Sequence, residues 1–197
     1  MLGRMSLLLA AKRLAFRHHA GHHRPNATHE PVVVHLAEVS GYVADEGWPE
    51  HVVAAAWLHD VVEDTAVTLD DVREGLGDVV AGIVAGLTDP PGFADLPLHE
   101  RKRLQAERLA GLTREVAIVK LADQVSNMRS VVDDPPVDWD AAACLAYLEG
   151  AAAVARACNG VSASLDALVL RHWTRGRARY GAGGARGSAI AGAARGS

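Results

Sequence analysis

Residues 52–65 read VVAAAWLHDVVEDT, and the part from 52 to 62 is apolar on every helical face except at His59 and Asp60. A helix with this pattern is predicted to be buried. Burying a carboxylate beside an imidazole costs free energy unless both groups are paired or bind a metal ion. Glu63 and Asp64 add two more carboxylates one helical turn further on. The four ionisable groups therefore predict one functional site at the end of a buried helix.

The composition indicates one globular domain. The chain has 197 residues, of which 49% are hydrophobic and 22% charged. Its net charge of -4 does not favour a nucleic-acid or membrane partner. No segment reaches the roughly 20 apolar residues of a membrane span. Cys144 and Cys158 lie outside any CxxC spacing, which is typical of reduced, packed thiols, so we expect a cytoplasmic protein.

The hydrophobic periodicity is helical almost everywhere and shows no sustained strand-like alternation. We therefore predict an all-α fold, a single helical bundle over residues 1–175. Residues 176–197 are rich in Gly, Ala and Arg, which predicts a disordered tail without a catalytic role. The predicted helices span residues 5–18, 32–46, 50–62, 68–75, 77–87, 97–111, 113–132, 138–157 and 160–175.

Two further residues are candidates for the same site. His35 follows an apolar run at the start of a predicted helix, where a core histidine without a ligand role is the ordinary alternative. On a later helix, Lys120, Asp123 and Asn127 form a polar stripe at spacings of three and four, which could equally be a solvent face. Beside a histidine and aspartate on a helix without a polar face, however, His35 and Asp123 are better interpreted as ligands.

The predicted donor set suits a divalent metal ion. Two imidazoles and two carboxylates hold an ion such as Mn²⁺ and leave positions for water and a substrate oxygen. Glu63 and Asp64 would then lie within reach of that water. The alternative is a solvated helix end, but acidic groups at a helix C-terminus oppose the helix dipole, so we expect a cation to compensate them.

Residues 18–30 hold five of the ten histidines on a predicted loop. A separate metal site there is an alternative, although adjacent histidines on a loop lack the order of a preformed site. Arg24, in the same segment, could pair with phosphate or stack on a base, or could be an ordinary surface arginine. The glycine-rich motifs that bind phosphate are absent from the sequence.

Several of these residues resemble a known family. His35, His59, Asp60 and Asp123 match the H…HD…D signature of the HD superfamily of phosphohydrolases. Residues 55–65 (AAWLHDVVEDT) and 119–129 (VKLADQVSNMR) resemble, more narrowly, the hydrolase domain of the RelA/SpoT proteins. Residues 98–105 (LHERKRLQ) are similar to the small alarmone hydrolases, which include the metazoan SpoT homologues. The likeness extends from about residue 19 to residue 132.

The resemblance implies an all-helical, Mn²⁺-dependent enzyme. It would hydrolyse the 3′-diphosphate of guanosine tetraphosphate or pentaphosphate, releasing pyrophosphate and GDP or GTP. Position by position, it implies that Glu63 and Asp64 position or activate the attacking water. It also implies that Arg24 packs on guanine, that Asn127 lines the nucleotide site, and that Lys120 compensates the acidic cluster. The implied Mn²⁺ ligands are His35, His59, Asp60 and Asp123.

The sequence departs from the family pattern around the predicted nucleotide pocket. Pro25 stands where lysine is usual, Val32 where tyrosine is usual, and Leu36 where proline is usual. Ser126 replaces a usual tyrosine or histidine. None of these departures falls on a predicted metal ligand. The predicted reaction chemistry is therefore better supported than the identity of the substrate. One alternative is an HD phosphohydrolase of another phosphorylated nucleotide or cofactor, and a second is an inactive nucleotide-binding regulator. The intact Glu63 and Asp64 argue against the second.

Overall fold

The computed structural model describes residues 6–109, 111–158 and 160–181, and within these ranges it contains helices and connecting segments but no β-strand beyond two isolated bridges. The prediction of an all-α fold is confirmed. A short 3₁₀ helix at Phe93–Asp95 precedes α7. The α-helices are α1 Leu7–His18, α2 Val32–Asp45, α3 Glu50–Trp57, α4 Val61–Asp64, α5 Leu69–Leu76, α6 Asp78–Leu87, α7 Leu98–Leu109, α8 Arg114–Asp133, α9 Ala141–Ala157 and α10 Ala163–Tyr180.

Side-chain caps visible in the sequence begin several of these helices. Thr68 forms a capping box at α5. Thr113, Asp140 and Ser162 accept hydrogen bonds from first-turn backbone N–H groups of α8, α9 and α10. Specific capping side chains therefore explain why helices begin near residue 68 and after residue 112, as predicted.

The prediction of one continuous helix over residues 50–62 is wrong. Helix α3 ends at Trp57, and Leu58, His59 and Asp60 form a turn before α4. Two tight i→i+3 hydrogen bonds stabilise this turn, from Leu58 N to Ala55 O and from Val61 N to Leu58 O, each 3.0 Å long. The His59 ring also bonds the Ala56 carbonyl oxygen at 2.8 Å. The histidine and aspartate are thus presented from a turn and not from the side of a helix.

Helix α3 forms the centre of the larger hydrophobic core, and every residue from Val52 to Trp57 is buried. It packs against α1, α2 and α6, while α8 packs against α2, α9 and α10. A smaller core cluster includes Met128 of α8 and Leu148 of α9. Cys144 and Cys158 are buried free thiols. Across the described ranges, no helix combines the length and apolar character needed to cross a membrane.

Helix α10 continues to Tyr180, five residues beyond the predicted end of the folded domain at residue 175. Gly176 is buried against Leu148 and Val132, where an added Cβ would collide with the Leu148 side chain. The phenolic O–H of Tyr180 donates to Val131 O at 2.6 Å. Gly176 is therefore a packing glycine and not the start of a tail. The rest of the predicted disordered tail, residues 182–197, lies outside the described residues.

Candidate active site

Three elements bring the predicted metal ligands together. His35 comes from α2, His59 and Asp60 come from the turn after α3, and Asp123 comes from α8. His59 Nε2 lies 3.2 Å from Asp60 Oδ2 and 3.7 Å from Asp123 Oδ1. His35 Nε2 lies 3.7 Å and 3.5 Å from the same two oxygens. The side chains of His35, His59 and Asp123 are buried, whereas that of Asp60 is 27% exposed and forms the rim of the cluster.

Hydrogen bonds behind the two imidazoles fix which ring nitrogens face the cluster. His59 Nδ1 lies 2.8 Å from the Ala56 carbonyl oxygen, which can only accept, so Nδ1 carries the proton. His35 Nδ1 lies 2.8 Å from Ser126 Oγ. The Ser126 hydroxyl donates to Glu38 Oε2 at 2.5 Å, so its oxygen accepts from His35 Nδ1–H. In both neutral rings, Nε2 then presents its lone pair to the cluster.

These two Nε2 atoms lie only 3.2 Å apart, and they have carboxylate oxygens as their other neighbours. Two lone pairs at that distance repel each other unless a positive charge lies between them. Donor atoms of His35, His59 and Asp123 all lie within 4.8 Å of one another. Imidazole and carboxylate ligands at such spacing fit one divalent ion with bonds of about 2.0–2.2 Å. The residues present therefore fit a divalent metal ion.

The electrostatics of the cluster show the same demand for positive charge. Burial lowers the pKa of His35. Burial also acts to lower the pKa of His59, but the Asp60 and Asp123 carboxylates outweigh it and raise that pKa well above its ordinary value. For Asp123, burial alone would raise the pKa, yet Lys120 and the two imidazoles hold it well below its usual range. The cluster thus stabilises a proton on His59, or a metal cation in its place.

A network that we did not predict supports His35 from behind. Ser126, which bonds His35, donates to Glu38 on α2, and Arg129 Nε donates to the other oxygen of that carboxylate at 2.6 Å. Burial opposes the ionisation of Glu38, but Arg129 and Ser126 lower its pKa below the ordinary value. Glu38 lies one helical turn after His35, which is the sequence signal that could have indicated it.

The polar stripe of α8 faces the site, and the alternative that it is a solvent face is wrong. Lys120 Nζ lies 3.4 Å from Asp123 Oδ2, and their side chains are only 11% and 6% exposed. Asn127 Nδ2 donates to Asp123 Oδ1 at 2.5 Å. Burial acts to lower the pKa of Lys120, but Asp123, Asp60 and Glu63 raise it. Lys120 therefore stays charged and compensates the carboxylates, as the sequence led us to expect of a nearby cation.

Glu63 and Asp64 lie on α4, beside the cluster. Glu63 is exposed on one side, yet desolvation by the surrounding protein raises its pKa to about 7, and the nearby Asp60 carboxylate adds to the shift. Asp64 is also an exposed residue, and partial desolvation and the Asp60 carboxylate raise its pKa to about 6. Both groups can therefore exchange protons near neutral pH, as a general base requires.

Glu63 is held by a loop whose role the sequence did not reveal. Its Oε1 atom accepts a hydrogen bond of 2.6 Å from the backbone N–H of Asp89. The Asp89 carboxylate accepts in turn from Gln105 Nε2 at 2.5 Å and from Arg108 Nη1 at 3.0 Å. Arg108 also donates to Thr88 O. Helix α7 thereby fixes the loop that orients Glu63.

Arg24 lies on the loop between α1 and α2 and reaches the cluster through Asn127, to whose side-chain oxygen its Nη2 donates. Its Nη1 atom is buried without a hydrogen-bond partner among the described residues. Arg24 lines a cavity of about 170 Å³ together with Pro25, Asn127, Trp139 and Tyr147. The two aromatic rings lie 5.2 Å apart. A guanidinium with one buried donor left unsatisfied, close to aromatic rings, suits a flat, polar ligand such as a nucleobase.

The histidines of residues 18–30 form no comparable site in the structure. Within the described part of the chain, the metal-like grouping consists of His35, His59 and Asp123, without a member from this segment. His19 is buried, and neither of its ring nitrogens has a hydrogen-bond partner among the described residues. Burial lowers its pKa, which indicates a neutral imidazole.

A model of the HD domain matches residues 11–167. The chain belongs to the HD-domain family. Among curated HD-domain relatives, the human guanosine-3′,5′-bis(diphosphate) 3′-pyrophosphohydrolase MESH1 is 34% identical over 167 residues, covering 84% of this chain and 91% of the relative. The zebrafish protein of the same name is 31% identical over 163 residues, covering 82% and 89%. The family resemblance seen in the motifs is confirmed.

A solved structure supports the same relationship. It is described as a metazoan orthologue of SpoT that hydrolyses ppGpp, and it superposes with a TM-score of 0.80 at 29% identity, covering 89% of this chain and 98% of that chain. The single HD-domain helical bundle predicted from the motifs is therefore confirmed. The match extends well beyond the motifs, to the helices that position the cluster.

Proposed function

We propose that this protein is a Mn²⁺-dependent hydrolase that removes the 3′-diphosphate of guanosine tetraphosphate or pentaphosphate. The observation that carries the proposal is the pair of Nε2 atoms of His35 and His59, which converge at 3.2 Å among carboxylates and beside Glu63. The names of the relatives give the reaction class, removal of a 3′-diphosphate by hydrolysis. In the proposed step, water adds to the phosphorus at the ribose 3′ oxygen, that P–O bond breaks, and the 3′ oxygen takes up a proton. The products are pyrophosphate and GDP or GTP.

The proposed ligands are His35, His59, Asp60 and Asp123. A mixed set of two imidazoles and two carboxylates suits Mn²⁺, which accepts both ligand types. A divalent ion bound there would polarise a phosphoryl oxygen and lower the pKa of water. The Ala56 carbonyl and the Ser126 hydroxyl keep both imidazoles in the tautomer that such an ion needs.

Glu63 is the proposed base that takes a proton from the attacking water, and Asp64 helps to position that water. A carboxylate with a pKa of about 7 is partly ionised at neutral pH and is a stronger base than an ordinary carboxylate. The hydrogen bond from Asp89 N occupies one oxygen of Glu63 and leaves the other available. Lys120 offsets the negative charge that the carboxylates place around the substrate phosphates.

Arg24 and Asn127 are the proposed contacts to the nucleotide. The buried Nη1 of Arg24 and the neighbouring aromatic rings support the binding of a base in the cavity that they line. Pro25 lines the same cavity and brings no charge to it. That observation favours a second candidate function, the hydrolysis of another phosphorylated nucleotide or cofactor by the same mechanism. In either case we propose a cytoplasmic protein acting on a small molecule, in keeping with its net charge and free cysteines.

The experiment that tests the proposal measures kcat/KM with Mn²⁺ for three substrates: guanosine tetraphosphate, its adenosine counterpart, and a 3′-monophosphate nucleotide. We expect guanosine tetraphosphate to be preferred by at least tenfold and to yield pyrophosphate. Equal values for all three would replace the proposal with a broader HD phosphohydrolase. Tight binding without turnover would identify a regulator.

A further inference from the structure

A second cavity adjoins the candidate active site through Glu63. It measures about 370 Å³, within the range of roughly 300–1,000 Å³ typical of small-molecule sites. Glu63, Asp89 and Arg101 supply its charged lining, and the Pro90–Phe93 segment forms one wall. It shares no lining residue with the cavity that contains Arg24. The two cavities meet the cluster through different residues, Glu63 in one case and Asn127 in the other.

Of the charged groups that line this second cavity, Asp89 has protein partners and Arg101 has none among the described residues. The Asp89 carboxylate is neutralised by Arg108 and hydrogen-bonded by Gln105. Arg108 also stacks over the Phe93 ring at 5.7 Å. Arg101 is half-buried on the first turns of α7, yet it makes no hydrogen bond or ion pair with any described residue. The cavity therefore presents one guanidinium whose charge no described residue pairs with.

Positive charge is concentrated behind Arg101. Burial lowers the pKa of the neighbouring Lys102 to about 8, and repulsion from Lys120 and Arg101 contributes to the shift. Because no described residue pairs with the Arg101 guanidinium, its donors are available to an anionic ligand in the cavity. Its planar fork of donors matches phosphate oxygens in particular. Pro90 and Pro91, whose rings restrict the backbone φ angle, also line the cavity.

We infer that this cavity is the subsite for the diphosphate group and for the pyrophosphate released from it, with Arg101 as the residue that recognises its charge. The inference rests on the proposed function and extends it. It places the two ends of the nucleotide in two separate cavities, one reached through Glu63 and the other through Asn127. The base would lie with Arg24, and the departing diphosphate would lie beyond Glu63.

The test compares Arg101→Ala, Arg101→Lys and the control Arg103→Ala. Arg103 lies on the same helix, is exposed, and pairs only with Glu107 on the surface. At saturating Mn²⁺, equilibrium dialysis with labelled pyrophosphate gives the dissociation constant, and thermal unfolding confirms that the variants fold. We expect Arg101→Ala to weaken pyrophosphate binding about tenfold or more, the scale of one charge-assisted hydrogen bond. Arg101→Lys should lose less, and Arg103→Ala should match the wild type.

A second measurement tests whether Arg101 acts on the 3′-diphosphate and not on another part of the nucleotide. Inhibition of the wild type and Arg101→Ala by GDP should be equal, because GDP lacks the 3′-diphosphate. Unchanged pyrophosphate binding in Arg101→Ala, or no pyrophosphate binding by the wild type, would overturn the inference. Absence of guanosine tetraphosphate hydrolysis in a wild-type protein that binds pyrophosphate through Arg101 would instead reject the proposed function alone.

Discussion

The Nε2 atoms of His35 and His59 face each other at 3.2 Å, while each ring is held from behind through its Nδ1 atom. One Nδ1 partner is a backbone carbonyl and the other is the hydroxyl of Ser126, so neither ring can turn its lone pair away without losing a hydrogen bond. With both rings neutral this contact is repulsive, and a proton on His59 or a metal cation in its place relieves the repulsion. Such preorganisation is expected of a metal site, in which second-shell groups set the ligand tautomers.

Replacing Ser126 by alanine removes the hydrogen-bond partner of His35 Nδ1 without touching a proposed ligand. We predict that Ser126→Ala weakens Mn²⁺ binding by about 10- to 100-fold, the usual effect of losing a second-shell partner. Competition with a fluorescent chelator measures this affinity directly. Ser40→Ala is the matched control, since Ser40 is also buried but bonds only Ala37 O within its own helix. Equal Mn²⁺ affinity in the two variants would exclude this role for Ser126.

Glu63→Gln keeps the shape of the side chain and removes its basicity. We predict a fall in kcat of about 10²-fold or more with unchanged metal content, because general-base catalysis typically contributes ~10²–10⁴. Glu74→Gln on the exposed face of α5 is the control. Steady-state kinetics and elemental analysis on the same samples provide the two readouts. A fully active Glu63→Gln enzyme would leave Asp64 as the candidate base.

Arg24→Ala tests the proposed nucleotide contact. Loss of a guanidinium that stacks on the base should raise the KM for guanosine tetraphosphate by about one to two orders of magnitude, given cation–π energies of roughly 0.5–2 kcal/mol plus any phosphate contact. Metal content should stay the same. Pro25→Lys should lower KM, since it adds a second cation to the cavity that Arg24 lines. If KM is unaltered in Arg24→Ala, the base binds elsewhere.

Lys102 should make the stability of the fold depend on pH. Its side chain is buried, with Nζ 3.1 Å from Gln124 Oε1, and burial lowers its pKa from 10.5 to about 8. Below pH 8 the lysine is charged in both the folded and unfolded states, so the folded state bears the full cost of burying the charge. Between pH 8 and 10.5 only the unfolded state stays protonated, and the cost disappears as pH rises.

We therefore predict that the unfolding free energy of the wild type, relative to Lys102→Met, increases by about 3 kcal/mol from pH 8 to 10.5. Urea denaturation at a series of pH values measures the difference, and Lys12→Met serves as a partly exposed control. A constant difference across this range would show that the pKa of Lys102 is not lowered in the folded protein.

The grouping of His35, His59, Asp60 and Asp123 was predictable from sequence because polar residues stand out in segments that are otherwise apolar. His59 and Asp60 interrupt an apolar run, and Asp123 lies on a polar stripe of an otherwise buried helix. The break between α3 and α4 was not accessible, because residues 50–62 carry no glycine or proline after Pro49 to mark it. The turn depends instead on tight backbone hydrogen bonds and on the bond from the His59 ring to Ala56 O.

The groups that support the site were harder to predict, since their hydrogen bonds connect residues that are far apart in the sequence. Ser126 and Glu38 are separated by 88 positions, and no local pattern pairs them. Arg108 and Asp89 meet only when α7 packs beside the loop after α6. Tertiary packing decides such contacts. The end of α10 was missed for a related reason, because Gly176 reads as a flexible residue until Leu148 is placed against it.

The central claim is that the His35–His59–Asp60–Asp123 cluster holds a divalent ion that the pyrophosphohydrolase reaction requires. Its most direct test is a single comparison of wild type and Asp123→Ala, in which bound Mn²⁺ is measured by elemental analysis and the products from guanosine tetraphosphate are separated by anion exchange. We predict one Mn²⁺ per wild-type chain with release of GDP and pyrophosphate, and loss of both in the variant. A variant that keeps stoichiometric Mn²⁺ and full turnover, or a metal-loaded wild type that releases no pyrophosphate, would contradict the account.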